Sequence, residues 1–169
     1  MIVGFKMEIH PNGFQQEILR EYCKTYHNMW NFLVAKYKDN LPVVSKYGIK
    51  DFDTNDLINE FGSAIPKRIV LGVIKEYSRA VQMAYNKVVN RPKFHKYNPN
   101  KQSFYIASMT YSVTNGRAVI PSLGRGRENM SYRIPLDIEY LNKYNIKEII
   151  EPRFTFYKGK WYISGSYKK

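Results

Sequence analysis

Val3, Phe5, Met7 and Ile9 alternate with Gly4, Lys6, Glu8 and His10, the period-two pattern of a strand with one face buried, and Pro11-Asn12-Gly13 breaks it. Ile18, Leu19, Tyr22, Tyr26, Trp30, Leu33 and Tyr37 then recur at three- and four-residue steps, which predicts a long helix from near Phe14 to Lys38. Its aromatic stripe, Tyr26 and Trp30 included, reads as core packing. The stretch from Asp39 to Asp53 is loop-like, and Asp53 or Thr54 caps a short helix ending near Gly62. A second long helix follows, with Ser63 as its cap and Pro66 in its first turn. Ile65, Ile69, Val73, Tyr77, Ala80, Ala84 and Val88 form its apolar face, and Lys67, Arg68, Lys75, Arg79 and Gln82 project elsewhere. Gly72 inside this face costs about 1 kcal/mol of helix propensity, so it implies close backbone packing against a neighbour or a ligand.

After Asn90 the period changes to short alternating runs: Ser103–Thr110, Arg117–Pro121, Ser131–Pro135, then a pair around Arg153–Phe156 and Lys160–Tyr167. Lys158-Gly159 between the last two reads as a tight hairpin, and Asn115-Gly116 is an equally strong turn signal. A short helix is expected from Asp137 to Tyr144. The fold class is therefore α+β, a β-module into which helices are inserted after its first strand, with that strand pairing with the C-terminal ones.

Charge sharpens this picture. The 169-residue chain carries 27 Lys and Arg against 14 Asp and Glu, a formal net charge of +13. Between Tyr77 and Arg127 there is no acid, while Arg79, Lys87, Arg91, Lys93, Lys96, Lys101, Arg117, Arg125 and Arg127 supply the positive charge. Tyr85, Phe94, Tyr97, Phe104, Tyr105 and Tyr111 are interleaved with those cations. Phosphate-binding cations beside rings that can stack on bases point to nucleic acid, single strands or RNA above all, over a merely solvated basic face.

Other chemistries leave no trace in the residues. The lone Cys23 can make no internal disulfide, sits in the helical pattern and reads as a packing residue in an intracellular setting. His10, His27 and His95 lack metal-ligand spacing, so no metal and no cofactor are expected. Gly124-Arg125-Gly126-Arg127 lacks a phosphate-loop spacing and reads as a basic loop. The acids show no convergent arrangement of the kind two-metal phosphodiester hydrolysis needs, so no enzymatic activity is expected. No run approaches a membrane span and the first residues lack a secretory layout, so a soluble cytoplasmic protein with no membrane partner is expected.

The ordered motifs resemble the N-terminal part of the TnpB (OrfB) transposon-encoded proteins, relatives of the type V CRISPR effector nucleases. The resemblance runs through a strand into Pro11, a Gln16-bearing helix with Trp30-Asn31 where the family has Tyr-Asn, and a second long helix with Ala80. It continues with Arg91-Pro92-Lys93-Phe94, Gln102-Ser103-Phe104, Asn115-Gly116, Pro121, Leu123-Gly124 and Gly159-Lys160-Trp161-Tyr162. Leu71 stands where relatives commonly carry Gln, and His95 where they carry a second Lys. The resemblance implies an OB-like wedge β-barrel, residues 1–11 and 101–169, with an inserted helical recognition lobe and basic connector, residues 12–100. It implies guide-like RNA as partner, with duplex DNA beside a target site and a separate nuclease-bearing chain as further partners. In that family a nuclease domain follows the strand matching Trp161–Tyr167, and this chain ends at Lys169. A non-catalytic binding module is therefore expected, or alternatively a phage or mobile-element regulatory protein that mimics the module to compete for guide RNA or dock on a nuclease. The basic segment and the resemblance together give the candidate interface: Lys67, Lys75, Arg79, Arg91, Lys93, Phe94, Lys96, Tyr97, Lys101, Arg117, Arg125 and Arg127.

Overall fold

Alternation at the N-terminus becomes strand β1, Ile2–Ile9, with Phe5, Met7 and Ile9 buried and the residues between them exposed. The computed structural model describes residues 1–42, 51–63, 65–86, 90–107, 110–113, 115–121 and 130–169. Helix α1, Gly13–Lys36, begins with a capping box: the Asn12 side chain accepts from the Gln15 backbone N–H and the Gln15 side chain accepts from that of Asn12. The buried Gln15 amide also donates to the backbone carbonyls of Ser131 and Arg133, at 3.0 Å each. Helices α2, Asp51–Phe61, and α3, Lys67–Tyr85, follow.

Ser63 does not cap α3. Pro66 is the N-cap, extended at φ −64° and ψ 146°, and its carbonyl accepts from Ile69 and Val70. A residue preceding proline is driven out of the helical region, so Ile65 cannot be a helix turn. The expected apolar face is otherwise present, with Ile69, Val73 and Tyr77 buried; Val88 lies outside the described residues.

The C-terminal half supplies β2, Lys101–Tyr105; β3, Thr110–Ser112; β4, Arg117–Val119; β5, Arg133–Pro135; helix α4, Ile138–Lys143; β6, Glu148–Tyr157; and β7, Lys160–Lys168. The sheet order is β1-β7-β6-β2, all antiparallel, with β3 also on β6, while β4 and β5 pair separately. The first strand thus pairs with the last, Ile2 opposite Lys168 through Ile9 opposite Trp161. Lys158 and Gly159 both have positive φ, 47° and 83°, as a two-residue hairpin requires. Asp137 caps α4 by accepting from the Tyr140 N–H. The chain is mixed α and β, as expected, and among the described residues the two sheets do not close into a barrel.

The run expected from Ser103 to Thr110 is two strands, and β6 reaches back to Glu148 rather than starting at Arg153. The cause is Pro152. It has no N–H to give the ladder, Glu151 beside it takes φ 48°, and the register with β7 shifts between Ile150 and Arg153. β2 pairs with β6 beyond the bulge and β3 before it. The run expected at Ser131 likewise opens with a 3-10 turn, Met130–Tyr132.

One buried cluster joins both helical and β elements, from Leu19, Met29 and Leu33 of α1 and Ile69, Val70 and Val73 of α3 to Phe104, Phe154 and Ile163 of the sheet. α3 crosses β2 at Gly72, where a Cβ would lie 2.0 Å from the Tyr105 carbonyl oxygen. Gly72 is thus packed against a neighbouring backbone.

Candidate nucleic-acid interface

Residues 90–100 form an irregular strap between α3 and β2, and every residue on it except the half-buried Pro92 is exposed, His95 only in part because its ring packs on α1. Its backbone is fixed by α1. The Trp30 indole N–H donates to the Lys93 carbonyl at 2.8 Å, and Asn31 holds both backbone groups of His95, accepting from its N–H at 2.8 Å and donating to its carbonyl at 3.1 Å. The His95 ring stacks on Trp30, centroids 4.4 Å apart and planes 14° apart. At the far end the Asn100 carbonyl accepts from the Lys158 N–H of the hairpin. Trp30 is core, as its helical spacing predicts, and its indole edge also anchors the strap.

Backbone groups and His95 make most of the anchorage, with Arg91 donating to the Asp39 carbonyl at 3.5 Å, and the strap's cations stay exposed. Arg91, Lys93, Lys96 and Lys101 are exposed, and Phe94 and Tyr97 are each 56% exposed, large rings that no core contact covers. These six expected residues are brought together. Lys67 is exposed at the start of α3 and Arg79 is exposed further along it. Arg117 is half-buried on β4, in the other sheet. Arg125 and Arg127 lie outside the described residues, as does Lys87.

Two of the interleaved rings are not available for stacking. Phe104 is fully buried between Tyr22, at 88° to it, and Phe154, at 19°, and Tyr105 lies under α3. Strand alternation fails here because helices cover this part of the sheet. Tyr85 is exposed.

Beneath the strap is a polar network that the charge pattern did not disclose. Lys75 pairs with Glu151 at 2.5 Å, and Tyr105 donates to the other oxygen of the same carboxylate. Arg153 pairs with Glu76, donates to Ser103 Oγ at 2.9 Å and lies 5.4 Å from the centre of the Tyr105 ring. Tyr26 donates to Glu76 at 2.5 Å. Burial, reinforced by the adjacent carboxylates, raises the pKa of both tyrosines, so they remain donors. The bulge at Glu151 aims its carboxylate at α3, and the result is a clamp between α3 and β6. Lys75 belongs to that clamp.

Between the clamp and the strap is a cavity of about 360 Å³, reached by Cys23 and His27 of α1, Glu76, Tyr97, and Arg153 and Thr155 of β6. Burial pushes the Cys23 thiol well up, which keeps it protonated. Burial lowers the pKa of His27, and that of His95 with help from neighbouring His27 and against the pull of Glu76. Among the described residues no group of three His, Cys, Asp or Glu side chains could hold a metal ion, and no helix is long and apolar enough to cross a membrane. No family model matches the chain, and no curated protein matches it at a significant level.

Proposed function

We propose that this chain is a non-catalytic RNA-binding module that grips unpaired or structured RNA along the strap. The carrying observation is that a run of exposed cations and rings is held on a fixed backbone: Trp30 and Asn31 pin Lys93 and His95 while Arg91, Lys93, Phe94, Lys96, Tyr97 and Lys101 stay open. Cations neutralise phosphates and exposed rings offer stacking platforms, and a pinned strap has little conformational entropy left to lose on binding. We propose further that the β-module is an OB-like wedge, residues 1–11 and 101–169, that residues 12–100 are an inserted recognition lobe, and that the whole resembles the guide-RNA and target-adjacent-motif half of a TnpB-like nuclease. In support, β1 pairs with β7 although the helices and strap come between them in sequence, and the Trp30-Asn31 pair meets the Pro-Lys-Phe segment in space. Duplex DNA near Lys67 and a separate nuclease-bearing chain are the further partners this reading carries.

The test is salt dependence with and without the track. If about six phosphates of a single strand are contacted, the log-log slope against salt is about −4, so affinity falls about 300-fold between roughly 50 and 200 mM. Replacing Arg91, Lys93, Lys96 and Lys101 together with Gln should bring the slope to about −1.5 with an unchanged circular dichroism spectrum. A flat response in the unaltered protein, or an unaltered slope in the fourfold variant, refutes the proposal.

A further inference from the structure

Five segments, α1, α3, the strap, β2 and β6, meet around the 360 Å³ cavity. That volume is near the lower end of the roughly 300–1,000 Å³ of small-molecule sites, and it suits one nucleotide rather than a helix or a long strand. Its lining is graded. Lys96 and Lys101 are exposed cations, and Tyr97 offers a half-open ring whose hydroxyl accepts from the Gln102 side chain at 3.1 Å. That ring is also braced edge-on by His27, centroids 6.2 Å apart. Deeper, Glu76 presents a carboxylate of which one oxygen, Oε1, accepts from both Tyr26 and Arg153. The other oxygen has no hydrogen-bond partner among the described residues, although Glu76 lines the cavity.

We propose that this cavity takes a single unstacked nucleotide of the bound RNA: Lys96 and Lys101 hold its phosphates, Tyr97 covers its base and the open Glu76 oxygen accepts from an exocyclic amine. This rests on the RNA-binding reading and adds base selection to it. Adenine, cytosine and guanine each present an amine. Uracil has only its ring N–H, flanked on both sides by carbonyl oxygens that a carboxylate would repel. An acceptor already fixed by Tyr26 and Arg153 cannot turn away, so discrimination against uracil follows from preorganisation, and the phosphate track supplies the affinity common to all sequences.

Fluorescence anisotropy with labelled oligouridine 12-mers, plain or carrying one central adenosine or cytidine, separates the two levels. The protein should bind the substituted strands at least about fivefold more tightly than plain oligouridine. Thr155→Phe, which fills the cavity from β6, should erase that difference while leaving oligouridine affinity and its salt slope in place. Tyr97→Ala, at an exposed rim position outside the core, removes one of the strap's stacking rings and so weakens binding of every strand, but it should likewise abolish the ratio between substituted and plain strands, so a folding defect in the first variant does not remove the answer. Equal affinity for all strands, or a preference that survives both substitutions, overturns the cavity proposal and leaves RNA binding standing. Failure to bind any strand at low salt overturns both.

Discussion

Gly72→Ala is a test of sign. In an ordinary helix interior this change is favourable by about 1 kcal/mol, because alanine has less backbone freedom to lose on folding. Here the new Cβ would sit 2.0 Å from the Tyr105 carbonyl oxygen and 2.8 Å from its carbon. Both obstacles are backbone, so no flexible side chain can swing aside. Reaching a tolerable contact means separating α3 from β2 by at least about 1 Å. That would stretch the Ala107 N–H bond to the Arg68 carbonyl, already 3.4 Å, and loosen Ile69, Val73 and Tyr105 in the core. Overpacking of this kind costs about 1–3 kcal/mol and more when backbone must move. Taking the upper end and subtracting the propensity gain leaves the variant about 2 kcal/mol less stable. Gly13→Ala, where a Cβ meets nothing within 4 Å, is the control and should be neutral or slightly stabilising. Urea unfolding reads both, with the slope m required to stay constant. A Gly72→Ala protein as stable as the parent would refute the close approach.

Asn31→Ala removes both side-chain bonds to the His95 backbone, each worth about 0.5–1.5 kcal/mol; amide exchange across residues 91–98 should speed up about tenfold or more while β1 and β7 stay protected, and unchanged exchange would show that Asn31 does not hold the strap. Stability should decline on acidification: His27 and His95 are depressed by burial in the folded chain, so their contribution is complete above the ordinary histidine value of about 6.5 and is lost as pH falls through it toward the lower folded values. The urea midpoint, followed from about pH 7.5 to 5.5, should fall less in His95→Gln than in the parent, and equal falls would contradict this. Cys23, 2% exposed with its thiol held protonated, should resist an aromatic disulfide reagent until the protein unfolds, and rapid native labelling would place it elsewhere.

The elements that were legible in the sequence are those set by chemistry within a few residues. The alternation of β1, the Lys158-Gly159 hairpin and the Asp137-capped helix α4 all lie where local pattern places them. The two main errors are at prolines. Pro66 moved the start of α3 because it reshapes the residue before it, and Pro152 split one expected strand into β2 and β3 through its effect on a partner strand more than forty residues later. The first effect is local and was readable; the second depends on pairing and was not. For the candidate interface, the exposure of the strap cations and of the Phe94 and Tyr97 rings was readable because nothing folds over them, whereas Lys75 and Arg117 were read as open and are not. Phe104 and Tyr105 have the same composition signal, and only the placement of α1 and α3 over β2 removes them.

The charge reading treated every cation as available, and the clamp shows why that overcounts. Glu76 ends the acid-bearing part of α3 and finds Arg153, 77 positions away, while Glu151 reaches back to Lys75. Each pair is built at the contact between α3 and β6, and the left-handed backbone at Glu151 is part of the construction. Breaking one partner of a partly buried pair leaves the other without compensation, so these acids fix the orientation of helix and sheet more than they lower the net charge. Acids placed there neutralise the cations that serve the fold, and acids absent from the strap leave its cations uncompensated. The same sequence feature, a segment without Asp or Glu, thus has two physical meanings at its two ends. On α3 it begins just after the clamp is complete, and on the strap it keeps the electrostatic field directed at whatever lies outside.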